Sequence, residues 1–154
     1  NMIKTFRGLL PDGAQERIRL QTLDGKKGYR IKKFELFPNN PGTTSYEHVG
    51  KVYSIKQTVI DGVVDFSEQT LLAAGFLGGY TSVANSTVNW IVTFDGVIFN
   101  QDIFVTHSEV DGNLACNYYL ELETISLDDV EATAVILKNF RNTNTTAWAL
   151  QSII

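Results

Sequence analysis

The sequence has 154 residues, of which 44% are hydrophobic and 19% charged, with a formal net charge of −4 and one cysteine. This length suits one domain with a sizeable hydrophobic core, and we predict a single domain over residues 1–154. The lone Cys116 excludes an intrachain disulfide and a cysteine-rich zinc site. No apolar run predicts a membrane span. Asn1 precedes Met2 without the apolar core of a signal peptide, so we interpret Asn1 as an expression remnant.

The charges divide unevenly along the chain. Residues 1–60 carry eleven Lys and Arg against five Asp and Glu, whereas residues 61–154 carry two against twelve. Three arrangements explain such a division: strands of the two halves interleave in one fold, neighbouring subunits meet with opposite charges, or the basic half binds a nucleic acid. Interleaving and subunit contacts are the interpretations that we favour.

Five Asp-Gly pairs separate apolar runs along the chain. Asp-Gly is favoured in tight hairpin loops, because both central positions of a type I′ turn need a positive φ. The pairs therefore predict turns between antiparallel strands. They are Asp12-Gly13, Asp24-Gly25, Asp61-Gly62, Asp95-Gly96 and Asp111-Gly112.

The first strands follow from alternating apolar residues. The stretch from Arg17 to Gln21 predicts a strand with Ile18 and Leu20 facing the core. Farther on, Tyr29 and Ile31 share one parity, whereas Phe34 and Leu36 have the other. A β-bulge near Lys32-Lys33 would add one residue and bring all four side chains to the same face.

Four later strands are predicted in the same way. We expect strands at Val49 to Ile55, Val88 to Phe94, Ile103 to His107 and Tyr118 to Glu123. In the second of these, the side chains of Val88, Trp90, Val92 and Phe94 line one face. In the last, Tyr118, Leu120 and Leu122 point inward, and Glu121 and Glu123 point outward. If this strand neighboured the strand at Arg17 to Gln21, Arg17 and Arg19 would pair with the two glutamates.

Helical segments are expected at two places. Ser126 would cap a short helix with Asp128 and Asp129 in its first turn, although residues 134–137 could also enter a sheet. Residues 68–74 predict another brief helix. The apolar end, residues 147–154, is expected to be buried in its own core or against a neighbour. Together the elements predict a mainly β, antiparallel, jelly-roll-like sandwich with one or two short helices.

Candidate chemistry is sparse. His107, Asp102 and Ser108 could be assembled into a triad, but nothing resembles a nucleophile elbow. Asp102, His107, Glu109 and Asp111 lack calcium-loop spacing, and one Glu121/Glu123 pair does not make a glycosidase site. We predict that Cys116 is a small buried hydrophobic residue, because a free cysteine is usually buried. We therefore predict that the protein is not an enzyme, has no cofactor or metal site, and has no assignable catalytic residue.

Two further sets of residues could form binding surfaces. A basic cluster gives slight support to nucleic-acid binding, but a solvated strand face explains it better. Aromatic residues in or near loops could form a sugar-binding platform, although core and interface roles are commoner. The basic residues are Lys26, Lys27, Arg30, Lys32 and Lys33, and the aromatic residues are Tyr46, Tyr80 and Trp148.

Several segments resemble small, uncharacterised proteins of marine bacteriophages. They are Thr5-Phe6-Arg7-Gly8, Gly28-Tyr29-Arg30-Ile31, Phe99-Asn100-Gln101-Asp102-Ile103, Cys116-Asn117-Tyr118-Tyr119-Leu120-Glu121-Leu122 and Leu137-Lys138-Asn139-Phe140-Arg141. The resemblance implies a virion structural protein, such as a capsid decoration protein or a neck or tail component, made in the host cytoplasm. We expect a homo-oligomer, with a trimer favoured, that contacts other virion proteins and no membrane. The alternative is a carbohydrate-binding or host-attachment module whose partner is a glycan.

Overall fold

The computed structural model describes residues 2–42, 44–81 and 86–139. These residues form eight strands and one helix, α1, at residues 129–139. The strands are β1 (Ile3–Leu10), β2 (Gln15–Ile18), β3 (Lys27–Pro38), β4 (Tyr46–Tyr53), β5 (Leu71–Tyr80), β6 (Ser86–Thr93), β7 (Ile103–Glu109) and β8 (Cys116–Ser126). The protein is therefore mainly β, as predicted.

The strands form two antiparallel sheets. The smaller sheet has the order β1-β8-β3, and the larger has the order β2-β7-β4-β5-β6. Inward side chains of both sheets make one core, which includes Phe34 and Leu120 from the smaller sheet and Val52 and Val105 from the larger. The arrangement is sandwich-like. The division into three and five strands does not confirm jelly-roll connectivity, which remains a prediction.

A bulge in β3 lies where the parity of the apolar residues predicts it. The pairing of β3 with β8 shifts register between Ile31 and Lys33. Tyr29, Ile31 and Phe34 are each at most 2% exposed, because the added residue returns the second half of the strand to the core face. This part of the sequence interpretation is confirmed.

All five Asp-Gly pairs lie outside the strands, which confirms them as turns or loops. The expectation of tight hairpins is wrong. Three of the pairs lie in connections that cross from one sheet to the other. They are Asp12-Gly13 between β1 and β2, Asp24-Gly25 between β2 and β3, and Asp111-Gly112 between β7 and β8. Gly13 and Gly25 have φ angles of +78° and +68°, and the other three glycines lack positive φ. At these two positions glycine adopts the positive φ without the steric cost that a side chain would add.

The basic and acidic halves interleave within the chain. Acidic β8 lies between β1 and β3, and β7 lies between β2 and β4. Arg17 and Arg19 do not face Glu121 and Glu123, because β2 and β8 belong to different sheets. Instead, Arg17 Nε donates to Asp102 at 2.8 Å. Arg30 Nε donates to Glu123 at 2.5 Å. Basic residues of the first half thus form ion pairs with acidic residues of the second half inside one fold.

The helix begins at a capping box. Asp128 Oδ1 accepts a hydrogen bond from the Glu131 backbone NH, and Glu131 Oε1 accepts one from the Asp128 NH. Asp128 therefore caps α1 in place of Ser126, which ends β8. The helix includes residues 134–137, for which the sequence allowed either a helix or a strand.

The second predicted helix, at residues 68–74, is wrong. Its last four residues, 71–74, belong to β5, whose side chains are mostly buried on both faces. The run from Leu71 to Ala74 is apolar at every position, so periodicity alone cannot distinguish a buried strand from a helix.

Replacing Asp128 with alanine should lower the free energy of unfolding by about 1 kcal/mol, because the first turn of α1 loses its cap. Urea unfolding followed by circular dichroism measures the change. Glu131→Gln is the matched control, since glutamine also completes a capping box and should leave stability nearly unchanged. Equal destabilisation by both variants would contradict the assignment of the cap.

No helix in the described part of the chain is long and apolar enough to cross a membrane. The predicted burial of residues 147–154, and Trp148 with them, lies outside the described residues.

Candidate functional site

An apolar row runs across the outer face of the larger sheet, away from the core. Val49 on β4 pairs with Phe76 on β5, and Phe76 pairs with Trp90 on β6. The rings of Phe76 and Trp90 have centroids 5.3 Å apart. Ala74 and Val92 form a second cross-strand pair on the same face. Together these side chains make an apolar floor where solvent-facing polar residues are usual.

The long connection between β4 and β5 forms a wall beside this floor. Lys51 Nζ is buried and donates hydrogen bonds to the Val63 carbonyl at 2.5 Å and to Asp61 Oδ1 at 3.4 Å. Phe66 packs edge-on against Phe94, with ring centroids 5.3 Å apart. These contacts hold the connection over the sheet.

Floor and wall line an open cavity of about 310 Å³, which we call the outer groove. Its lining is Val49, Gly62, Val64, Phe66, Ala74, Gly75, Phe76, Trp90 and Val92. Trp90 is 68% exposed and Phe66 is 54% exposed. Val59 and Val63, on the same connection, are exposed as well. An apolar surface of this kind marks an interaction site more often than a solvated face.

The sequence predicted a strand at Val88 to Phe94 whose apolar side chains share one face. The structure confirms the strand and the shared face for Trp90 and Val92. That face is the solvent side of the sheet. Ile91, of the opposite parity, packs against the core. Alternation reveals which side chains share a face, but it cannot tell which face is covered, so the outer groove was missed.

The two histidines meet inside the protein. His48 on β4 and His107 on β7 are at most 2% exposed, and His48 Nδ1 lies 2.9 Å from His107 Nε2. His107 Nδ1 lies 3.1 Å from the Pro11 carbonyl, which only accepts hydrogen bonds. His107 therefore carries its proton on Nδ1 and accepts from His48 through Nε2. Burial, followed by the neighbouring His107, lowers the pKa of His48 to about 4.

The structure does not bring the hypothetical triad together. Both ring nitrogens of His107 are engaged by His48 and Pro11, not by Ser108 or Asp102. Asp102 instead accepts from the backbone NH groups of Leu20 and Gln21.

The acidic residues considered for a metal site or for a glycosidase site also have other contacts. Glu109 Oε2 accepts from the backbone NH groups of Glu47 and Asp111, so Asp111 belongs to a turn braced by Glu109. Glu123 pairs with Arg30, and Glu121 accepts from the Tyr119 hydroxyl. These contacts give each carboxylate a structural role.

Cys116 lies beside the histidine pair. Its Sγ and one ring nitrogen of each histidine are all within 4.8 Å of one another. Burial raises the pKa of the thiol to about 12, so it is protonated at neutral pH. The prediction of a buried Cys116 is confirmed. Sequence spacing indicated only His107 as a neighbour of Cys116. The pairing of β4 with β7 also brings His48 to this place.

Of the aromatic residues considered for a sugar-binding platform, Tyr46 and Tyr80 make other contacts, and Trp148 lies outside the described residues. Tyr46 is buried in the core, where it stacks on His48. The Tyr80 hydroxyl donates to Glu47. Trp90, which was not among the candidates, is the exposed aromatic of the larger sheet. In the basic cluster, Lys26 and Arg30 form ion pairs with acidic residues of the second half.

No family model matches the chain, and no curated protein matches it either.

Proposed function

We propose that this protein is a structural subunit that associates with copies of itself through the outer groove. The observation that carries the proposal is the exposed apolar surface formed by Trp90, Val92, Phe66 and Val64. Burial of apolar surface contributes about 25 cal/mol per Å², so covering this surface favours association.

A second copy of the chain is the occupant that the chemistry favours. The groove is lined almost wholly by carbon atoms, which suits apolar side chains and leaves few hydrogen-bond partners for a polar ligand. β6 is also an edge strand of the larger sheet, next to the groove. The sequence supplies an apolar segment, residues 147–154, of the composition that such a groove would accept.

Within this proposal, the resemblance to marine bacteriophage proteins supports a role in the virion, as a capsid decoration protein or a neck or tail component. Such proteins assemble by symmetric repetition of one interface, and a closed ring needs a groove on one subunit and a complementary surface on the next. A trimer is the arrangement that we favour. Other virion proteins are the expected further partners.

Mass measurement by light scattering tests the proposal. We expect a multimer for the unaltered protein and a shift towards monomer for the double variant Trp90→Ser/Phe66→Ser. Loss of a buried aromatic anchor costs about 2 kcal/mol or more, so the subunit dissociation constant should rise by at least about 30-fold. Phe37→Ser is the matched control, because Phe37 is 63% exposed on β3 of the smaller sheet.

Salt dependence separates apolar from charged contacts. Because the basic and acidic halves already meet within the chain, we expect assembly to persist when the salt concentration is raised. Dissociation in salt would point to ionic subunit contacts instead. A strict monomer at all concentrations, or equal weakening by Phe37→Ser, would refute association through the groove.

A carbohydrate-binding or host-attachment module is the second candidate, and the exposed indole of Trp90 is the observation in its favour. Tryptophan faces stack on sugar rings, but the apolar groove offers few groups for sugar hydroxyls. Glycan-array binding that disappears in Trp90→Ala, with the oligomer intact, would favour this function over self-association.

A further inference from the structure

Three side chains that commonly bind metals converge in the core, apart from the outer groove. One ligand atom from each residue lies within 4.8 Å of the other two: a ring nitrogen of His48, a ring nitrogen of His107 and the Sγ of Cys116. None of the three residues is more than 2% exposed. They come from β4, from β7 and from the first residue of β8, so both sheets contribute.

The surroundings orient these groups as a metal site requires. His107 Nδ1 donates to the Pro11 carbonyl, which leaves the Nε2 lone pair directed at the cluster. A ligating histidine usually donates its other ring NH to a carbonyl or carboxylate in this way. Tyr46 stacks on His48 with centroids 5.1 Å apart. Rigid strands and this stacking restrict the rings before any ion binds.

We propose that His48, His107 and Cys116 form a binding site for copper(I). A thiolate with imidazole nitrogens is a soft ligand set that favours copper(I) and zinc over calcium or magnesium. The described residues add no fourth His, Cys, Asp or Glu to this cluster. Structural zinc sites are almost always four-coordinate, so a three-ligand pocket closed to solvent fits copper(I) better.

Binding requires two proton changes. The Cys116 S–H bond breaks as the sulfur–copper bond forms, and that proton leaves to solvent. His48 moves its ring proton from Nδ1 to Nε2, so that Nδ1 can coordinate. No electron is transferred, because copper enters and stays in the +1 state.

The rearrangement of the ligands is small. With bond lengths of the size known for zinc, about 2.0–2.3 Å to nitrogen and sulfur, three ligands in a plane stand about 3.5 Å apart. The two histidine nitrogens are 2.9 Å apart and must separate slightly. The longest distance between two ligand atoms of the cluster is at most 4.8 Å, and it must shorten by about one ångström. Side-chain rotations supply shifts of this size.

The test is an anaerobic copper(I) titration of the full chain against a coloured copper(I) chelator. We expect one copper(I) per chain, and at least about 100-fold weaker binding in Cys116→Ala and in His107→Gln, because loss of a partner of a ligand already costs about 10–100-fold and loss of the ligand itself should cost more. Met2→Leu is the control, because Met2 is the sole methionine, is 58% exposed and carries the other sulfur. It should bind copper(I) as the unaltered protein does.

X-ray absorption of the loaded, unaltered protein needs no variant and therefore remains decisive if a core substitution prevents folding. One sulfur and two nitrogen ligands would support the site. Absence of stoichiometric binding, a sulfur-free spectrum, or binding of zinc in preference to copper(I) would overturn it. The proposal is independent of association through the outer groove, because the groove variant Trp90→Ser/Phe66→Ser should still take up one copper(I).

Discussion

Replacing Leu120 with alanine should lower the free energy of unfolding by about 2–5 kcal/mol, the largest effect that we expect from a single truncation. Leu120 lies in the middle of β8, is fully buried, and pairs with Phe6 on one side and Phe34 on the other. The truncation removes apolar contacts at the centre of the core that both sheets share. Packed strands cannot close over the space, so a cavity term adds to the lost transfer free energy.

Leu23→Ala provides the matched control, since it removes the same atoms from a fully exposed leucine. Its free energy of unfolding should stay within about 0.5 kcal/mol of the unaltered protein. Chemical unfolding of both variants at equal protein concentration measures the difference, and equal concentration matters because assembly also stabilises the folded chain. A loss below about 1 kcal/mol for Leu120→Ala would contradict the shared core.

Replacing Asp102 with alanine should cost about 3 kcal/mol, because two backbone donors lose a charged acceptor. Asp102 Oδ1 accepts from Leu20 N at 2.8 Å and from Gln21 N at 3.0 Å. Its other oxygen accepts from Arg17 Nε. This carboxylate ties the end of β2 to the start of β7, so its loss should also loosen that edge of the larger sheet.

Asp102→Asn is the informative comparison, since the amide oxygen can still accept from Leu20 and Gln21 while the charge facing Arg17 is gone. We expect a cost of about 1 kcal/mol. Hydrogen exchange at the amides of residues 20 and 21 should be accelerated in Asp102→Ala more than in Asp102→Asn. Similar exchange in both variants would contradict this role.

The contribution of Asp102 should also depend on pH. Burial opposes its ionisation, but the backbone NH groups of Gln21 and Leu20, together with Arg17, outweigh burial and hold the pKa below its ordinary value of 3.8. A carboxyl group with a lowered folded pKa stabilises the protein above its unfolded pKa, and this contribution is lost as pH falls through the folded pKa. The stability gap between the unaltered protein and Asp102→Asn should be constant above about pH 5 and shrink below about pH 4. A gap that widens in acid would contradict the assignment.

Local patterns predicted the elements with clear alternation. The inward set Tyr118, Leu120 and Leu122 and the bulge after Ile31 were both readable, because side-chain direction in a strand has a period of two and one added residue reverses it. The apolar run at residues 71–74 has no period at all, so the sequence does not distinguish a helix from the strand that the structure shows. Pairing with β4 on one side and with β6 on the other is what makes it a strand.

The candidate sites depended on tertiary structure. Nothing in the sequence relates His48 to His107, which are 59 positions apart; the β4–β7 register brings them within 2.9 Å. Trp90 was assigned to the correct strand, but its exposure depends on which side of the larger sheet packs against the smaller one.

The sequence by itself determined the mainly β class, the positions of the turns and the bulge, because each follows from local backbone preference or from side-chain period. It also indicated the buried cysteine, because a free cysteine is usually buried. Only the tertiary structure decided which strands are neighbours, that the Asp-Gly turns cross between sheets, that opposite charges meet within one chain, and that Val49, Phe76 and Trp90 form an apolar row facing outward. The physical reason is that strand pairing depends on contacts between residues far apart in the chain, and many pairings satisfy the same local alternation.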